Sequence, residues 1–268
     1  MSWKNPVLLL IVLSFFCINT RGNGINKDEA DSLRYEMVEL ENECPPEDSF
    51  ITRAVIRVEY PKITEAPHPY VMDSINNFIK NYLLSQFGDR TGQGSLEKQL
   101  DQFITEFKKF RVNFPKVLGW FDEKKVSVIN DTLGILSLKY FYYFYTGGAH
   151  PNSTVKYFNF DINTGCILTL KDLFIPGFET ELNKIAEKEF RKEKKLSPDE
   201  DLEKAGFQFE DNQFKVNDNF AVTTEGLKFH FNDYEIASYS RGPTRLEISY
   251  EALRRIIDIN GPLKNFVK

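Results

Sequence analysis

Apolar and polar residues alternate along Phe50 to Tyr60 (FITRAVIRVEY), with Ala54, Ile56, Val58 and Tyr60 on one side and Arg53, Arg57 and Glu59 on the other. A period of two predicts a half-buried strand, here closed by Pro61. After Pro67-His68-Pro69 the period becomes helical: Met72, Ile75, Phe78, Ile79, Tyr82, Leu83 and Phe87 make one apolar stripe, ended by Gly88. Ser95 is placed to cap a second helix, whose stripe is Leu96, Leu100, Phe103, Ile104, Phe107 and Phe110. Stripes of this width suit helices that cover a sheet.

From Lys124 the period returns to two. Strands are predicted at Val126–Ile129, Leu133–Tyr145, Val155–Asp161 and, after the turn Asn163-Thr164-Gly165, Cys166–Leu170. Strands joined by such short turns suggest an antiparallel meander. A third helix starts near Phe178 and runs into the charge run Lys188–Lys195. Residues 196–219 read as loop, Phe220 to Phe231 as a hairpin around Thr224-Glu225-Gly226, and Tyr250 to Ile259 as a closing helix. The fold class is therefore α+β, in two subdomains. An N-terminal strand-helix-helix unit is followed by a mainly antiparallel mixed sheet with flanking helices.

The N-terminus carries a different signal. Lys4 precedes a ten-residue apolar run, Val7 to Phe16. A spanning helix needs about 20 apolar residues, so this run fits a secretory signal over residues 1–22. Cleavage after Gly22 and lipidation at Cys17 both remain open. Either route places the protein outside the cytoplasm, with membrane contact only through an N-terminal lipid. Residues 23–46 are polar and read as a linker.

Composition narrows the class. The 268 residues carry 34 Lys and Arg against 39 Asp and Glu, a net charge of −5. Removing residues 1–22 takes away two cations, Lys4 and Arg21, and no acid, so −5 becomes −7. This balance opposes nucleic-acid binding, which draws its affinity from cationic surface. With 24 Phe and 12 Tyr the chain is too rich in large apolar groups to be disordered. Three cysteines are too few for a disulfide scaffold or a Cys-rich zinc site. In an oxidising compartment Cys44 and Cys166 either pair, closing a loop of about 120 residues, or stay as two buried thiols.

Catalytic signatures are absent. The three histidines, His68, His150 and His230, have no triad pattern around them, and no metal-binding, phosphate-binding or dinucleotide-binding motif occurs. No cofactor is implied. One segment stands out, Thr146-Gly147-Gly148-Ala149-His150-Pro151-Asn152, at the end of the aromatic run Tyr140–Tyr145. It is either a recognition loop offering His150 and Asn152, or a specialised turn whose histidine satisfies backbone carbonyls. Alternation sends Tyr140, Tyr142 and Phe144 to one face and Phe141, Tyr143 and Tyr145 to the other. Either both faces are covered or one is a binding surface.

TGGAHPN, then FDINTG, then LTLKDLF resembles the core signature of the DUF3298 family of unknown function. A later segment, Tyr234, Glu235, Ile236, Ala237, Tyr239, Gly242 and Pro243, resembles that family's second signature. The stretch from VEYPKI through two helices is similar to the companion family DUF4163. The resemblance implies a DUF4163-like domain over 47–150 and a DUF3298-like domain over 151–260, with TGGAHPN at the junction.

It also implies an extracytoplasmic bacterial protein of the cell envelope. Relatives carry the pair as the outer part of a lysozyme-sensing anti-sigma factor, and others carry the first part beside a peptidoglycan deacetylase. The function expected is a non-catalytic module binding a lysozyme-like or other envelope protein, or peptidoglycan. The candidate contacts are Tyr143, Tyr145, Gly147, Gly148, His150, Asn152 and Tyr239. The alternative is an envelope glycan hydrolase using His150 and a carboxylate.

Overall fold

The computed structural model describes residues 33–44, 53–87, 94–115 and 117–267. The signal segment, Cys17 and the start of the linker lie outside them. The first sheet has five strands in the order β1-β2-β3-β4-β5: β1 (Arg34–Cys44), β2 (Ala54–Glu65), β3 (Trp120–Thr132), β4 (Ile135–Tyr145) and β5 (Asn152–Asp161). β2 and β3 run parallel, and the other pairs are antiparallel. A parallel pair needs a crossover, supplied by α1 (Pro69–Ser85) and α2 (Leu96–Asn113).

Both helices lie where their stripes predict. Val71, Ile75 and Leu83 of α1 and Phe103 and Phe107 of α2 are buried against Ile56, Val58, Leu138 and Tyr140 of the sheet. Ser95 caps α2 by accepting from the Lys98 backbone N–H at 3.4 Å. The strand-helix-helix unit is thus not separate from the meander, because β2 is hydrogen-bonded into the same sheet as β3.

Two strand boundaries differ from expectation. β2 runs through Pro61 to Glu65, since β3 pairs only as far as Glu59 and a missing N–H costs nothing on the side left open. There an amide from α1 takes the place of a strand: Asn76 accepts from Ile63 N–H at 2.8 Å and donates to its carbonyl at 2.9 Å.

Residues 34–44 are no linker but the edge strand β1. Its glutamates read as solvated because their partners lie across the ladder: Glu36–Lys62 at 3.1 Å, Glu41–Arg57 at 2.5 Å and Glu43–Arg53 at 2.5 Å. A charged edge also discourages strand addition.

The second domain packs α3 (Leu170–Leu173) and α4 (Glu179–Lys194) against a three-stranded sheet, β6 (Phe220–Val222), β7 (Gly226–Phe231) and β8 (Thr244–Ser249), followed by α5 (Tyr250–Leu253). Phe190 is fully buried at its centre, with Phe207, Phe209 and Phe214 around it at centroid distances of 4.9 to 5.7 Å. The loop 196–219 is held through this aromatic cluster.

The expected strand Cys166–Leu170 is reduced to one bridge, Phe160–Ile167, before the Thr169–Asp172 capping box starts α3. The expected closing helix is a single turn. Beyond it the backbone pairs with the segment after α3 instead: Ile175 N–H donates to Ile256 and Asp258 N–H to Leu173.

The boundary expected at 150/151 falls inside the first sheet, because β5 pairs with β4 along its whole length. The domains meet instead at the free edge of β5, where asparagine amides stand in for a neighbouring strand. Asn219 accepts from Tyr157 N–H (2.9 Å) and donates to Val155 C=O (2.8 Å). Asn232 accepts from Val155 N–H (2.7 Å), and Asn159 of β5 reaches out to Phe220 C=O (2.9 Å) and Val222 N–H (2.8 Å).

The two cysteines considered for a disulfide are not brought together. Cys44 ends β1 and Cys166 follows β5, on opposite edges of the sheet and at opposite ends of its strands. Four strand spacings alone are about 19 Å, against at most about 7 Å between bridged Cα atoms.

Candidate functional site

TGGAHPN is the turn of the β4–β5 hairpin rather than a junction. Gly147 and Gly148 have φ of +114° and +116°, and among the described residues, chain neighbours aside, no atom lies within 4 Å of where a Cβ would sit. The backbone conformation, not lack of space, therefore demands glycine. Tyr145 folds back on the turn, its hydroxyl donating to Gly148 C=O at 3.0 Å.

His150 is half-buried at the exit of the turn. Its Nδ1 lies 2.8 Å from Pro151 O, an atom that can only accept, so Nδ1 carries a proton. In neutral imidazole Nε2 is then an acceptor, and it faces the Tyr234 hydroxyl at 3.4 Å. The ring stacks on Tyr239 at 4.1 Å and 17°, and Tyr239 stacks on Tyr234 at 5.5 Å and 25°.

Three near-parallel rings thus cluster, with His150 and Tyr234 both against Tyr239 and touching each other. The two tyrosines are open to solvent, Tyr239 at 37% and Tyr234 at 61% exposure. Tyr234 sits at φ +64°, a left-handed conformation uncommon for a tyrosine. The turn around it is fixed by Glu235, which accepts from Asn232 N–H at 2.7 Å. Hydroxyls border the cluster, with Ser238 and Ser240 3.0 Å apart.

The aromatic run of β4 divides as alternation predicts. Tyr140 points into the helix-covered core, edge-on to Tyr82 at 5.0 Å, with Tyr142 and Phe144 on the same side. Phe141, Tyr143 and Tyr145 occupy the other face. At its lower end Phe141 packs on Val155, Tyr157 and Ala221, so the second domain covers that part. At its upper end the face is open: Tyr143 and Tyr145 are half-buried, and Phe121, opposite Tyr145, is 42% exposed. Ser153, opposite Tyr143, bonds Asp233 at 3.5 Å and so links this face to the loop bearing Tyr234 and Tyr239.

Of the residues singled out in the sequence, Tyr145, Gly148, His150 and Tyr239 come together, with Tyr143 beside them. Asn152 does not join them. It starts β5 opposite Phe144, on the helix-side face. Tyr234 completes the cluster and is marked in the sequence only as part of a family signature. Nothing local foretells its role, because the contact spans 84 residues.

As chemistry, the arrangement offers ring faces and hydroxyls. Among the described residues no carboxylate hydrogen-bonds His150, and no group of three or more His, Cys, Asp or Glu is arranged to hold a metal ion. None of the described helices is long and apolar enough to cross a membrane.

Residues 171–251 match the family described as "Protein of unknown function (DUF3298)", and residues 51–153 match the one described as "Deacetylase PdaC". The chain is thus similar to DUF3298 over residues 171–251 and to the PdaC family over residues 51–153, the latter being the region likened to DUF4163. It is 28% identical over 138 residues to the peptidoglycan-N-acetylmuramic acid deacetylase PdaC of Bacillus subtilis (strain 168). That alignment covers 51% of this chain but only 28% of the relative's length.

Two solved structures share the fold. A DUF3298 family member from Bacteroides fragilis has a TM-score of 0.72 at 18% identity, over 90% of this chain and 99% of its own. A second, from Pseudomonas aeruginosa PAO1, has a TM-score of 0.67 at 23% identity, over 86% of this chain and 96% of its own.

Proposed function

We propose that this chain is an exported bacterial envelope protein that binds a cell-wall glycan without transforming it. The observation that carries the reading is the cluster of the exposed rings Tyr239 and Tyr234 on His150, beside the open face of Tyr143, Tyr145 and Phe121. A pyranose ring presents C–H groups on its faces and hydroxyls around its rim. Aromatic faces match the former, while Tyr234 Oη and the hydroxyls of Ser238 and Ser240 match the latter. Similarity to a protein named for acting on peptidoglycan, together with the signal-like N-terminus, supports an envelope setting.

Co-sedimentation of the purified protein with peptidoglycan sacculi tests this. Wild type is retained, and Tyr239→Ala, folded by circular dichroism, needs about tenfold more sacculi for equal retention, as loss of ~1.4 kcal/mol of stacking requires. Wild type left in the supernatant, or equal retention of the variant, overturns the reading.

A lysozyme-like protein is the second ligand to test, favoured by the net charge of −5, which would steer a basic partner. A calorimetric titration silent at micromolar concentration removes it. Hydrolysis through His150 gains no support from the hydrogen bonds of its imidazole, which go to a carbonyl and a phenol.

A further inference from the structure

A cleft of about 520 Å³ runs along the outer edge of β5, between that strand and the start of α4. None of the ring-stack residues lines it. Its walls are mainly apolar, from Phe158, Leu168, Phe178, Leu182 and Phe220. Its volume falls in the range of small-molecule sites, roughly 300–1,000 Å³. Five charged residues border it. Lys171, Glu179, Lys215 and Asp218 are exposed, while Lys156 is half-buried in the wall made by β5.

Lys156 distinguishes this cleft from a gap between domains. Among the described residues it makes neither a salt bridge nor a side-chain hydrogen bond. Burial holds its ammonium below the usual lysine range, while Asp218 and Glu235 pull it back up from beyond ion-pair distance. A cation kept partly out of water without a close counter-charge gains from an incoming anion. The N-terminus of α4 opens on the same space: Phe178, its cap residue, offers no side-chain hydrogen bond, and both Phe178 and Glu179 line the cleft. Its first-turn N–H groups add positive potential, offset in part by Glu179 and Glu181.

We propose that this cleft binds a small anionic amphiphile, an apolar chain or ring system bearing one carboxylate or sulfonate, with Lys156 pairing the anion and the apolar walls taking the body. The pairing sets the preference for acid over alcohol, and the walls set the preference for length.

Fluorescence titration with 1-anilinonaphthalene-8-sulfonate tests this, well below the denaturation midpoint, followed by displacement with decanoate and with decanol. Saturable one-to-one binding is expected, with decanoate displacing at about tenfold lower concentration than decanol. Lys156→Met, folded by its unfolding midpoint, should erase that difference while decanol still displaces. Ile167→Trp, which narrows the cleft from an exposed position, should weaken both competitors.

Absence of saturable binding overturns the proposal, as does an acid preference that survives Lys156→Met. Should Lys156→Met fail to fold, Ile167→Trp with undiminished binding overturns it equally. Tyr239→Ala should leave every displacement unchanged, so failure here is separable from failure of the glycan reading.

Discussion

His230 makes the stability of this protein depend on mild acid in a calculable way. It lies on β7, where Leu227, Phe229 and Phe231 point into the second core and Lys228 and His230 point back at the first domain. His230 is 2% exposed and sits edge-on to Tyr157 at 6.2 Å, and among the described residues its Nδ1 has no hydrogen-bond partner. Burial first, then the cations Arg245 and Lys139, push its pKa down from 6.5 to about 4. Lys228, paired with Glu247 at 2.6 Å, lies on the same face of the small sheet.

The folded state therefore binds fewer protons than the unfolded chain between those two values. Stability from this group is complete above pH 6.5 and is lost as pH falls towards 4. Linkage gives a loss of about 2 kcal/mol between pH 7 and 5, rising to ~3 kcal/mol at pH 4. Carboxylates titrate in the same window, so the readout is a difference. Urea unfolding of wild type and His230→Gln is measured at pH 7, 6 and 5. The variant starts less stable by a pH-independent amount, and the gap narrows by about 2 kcal/mol on acidification. Parallel curves across that range would refute a neutral, desolvated His230.

Three further outcomes follow from the packing. Asn219→Ala removes the amide that serves Tyr157 N–H and Val155 C=O, and should cost about 3 kcal/mol in urea unfolding, with faster hydrogen exchange at the Tyr157 amide. Gly226→Ala sets a Cβ 2.1 Å from the Ile248 carbonyl, so β7 and β8 must separate, and thermal unfolding should show a loss of roughly 3 kcal/mol or more. Lys124 is fully buried between the Phe87 and Tyr142 rings and paired with Asp122, so Lys124→Met should cost ~3–5 kcal/mol. Adding Asp122→Asn should recover much of that in a double-mutant cycle.

What the sequence disclosed was whatever local spacing determines. The stripes of α1 and α2, the Ser95 cap, the 220–231 hairpin and the two-faced aromatic strand depend on neighbours within one or two turns, and all lie where the pattern put them. What it concealed was decided across the fold. β1 reads as solvated chain until Arg53, Arg57 and Lys62 of β2 are set opposite its glutamates. The parallel register of β2 on β3 spans 66 residues and leaves no mark in either strand alone. The closing helix was cut short because its backbone is needed by residues after α3. In the candidate site the glycines and His150 were conspicuous, whereas Tyr234 was silent, its place set by a left-handed residue in a distant loop.

The asparagine-lined seam has a consequence for anyone dividing this protein. Cutting the chain between Asp161 and Leu170 would strip β5 of Asn219 and Asn232 and leave a flat strand edge seeking partners. The severed first half would be sticky rather than merely less stable, prone to capture extended peptide or its own copies. Expressing the two halves together, or grafting the amide-bearing loop onto the first, is how a usable fragment would be made.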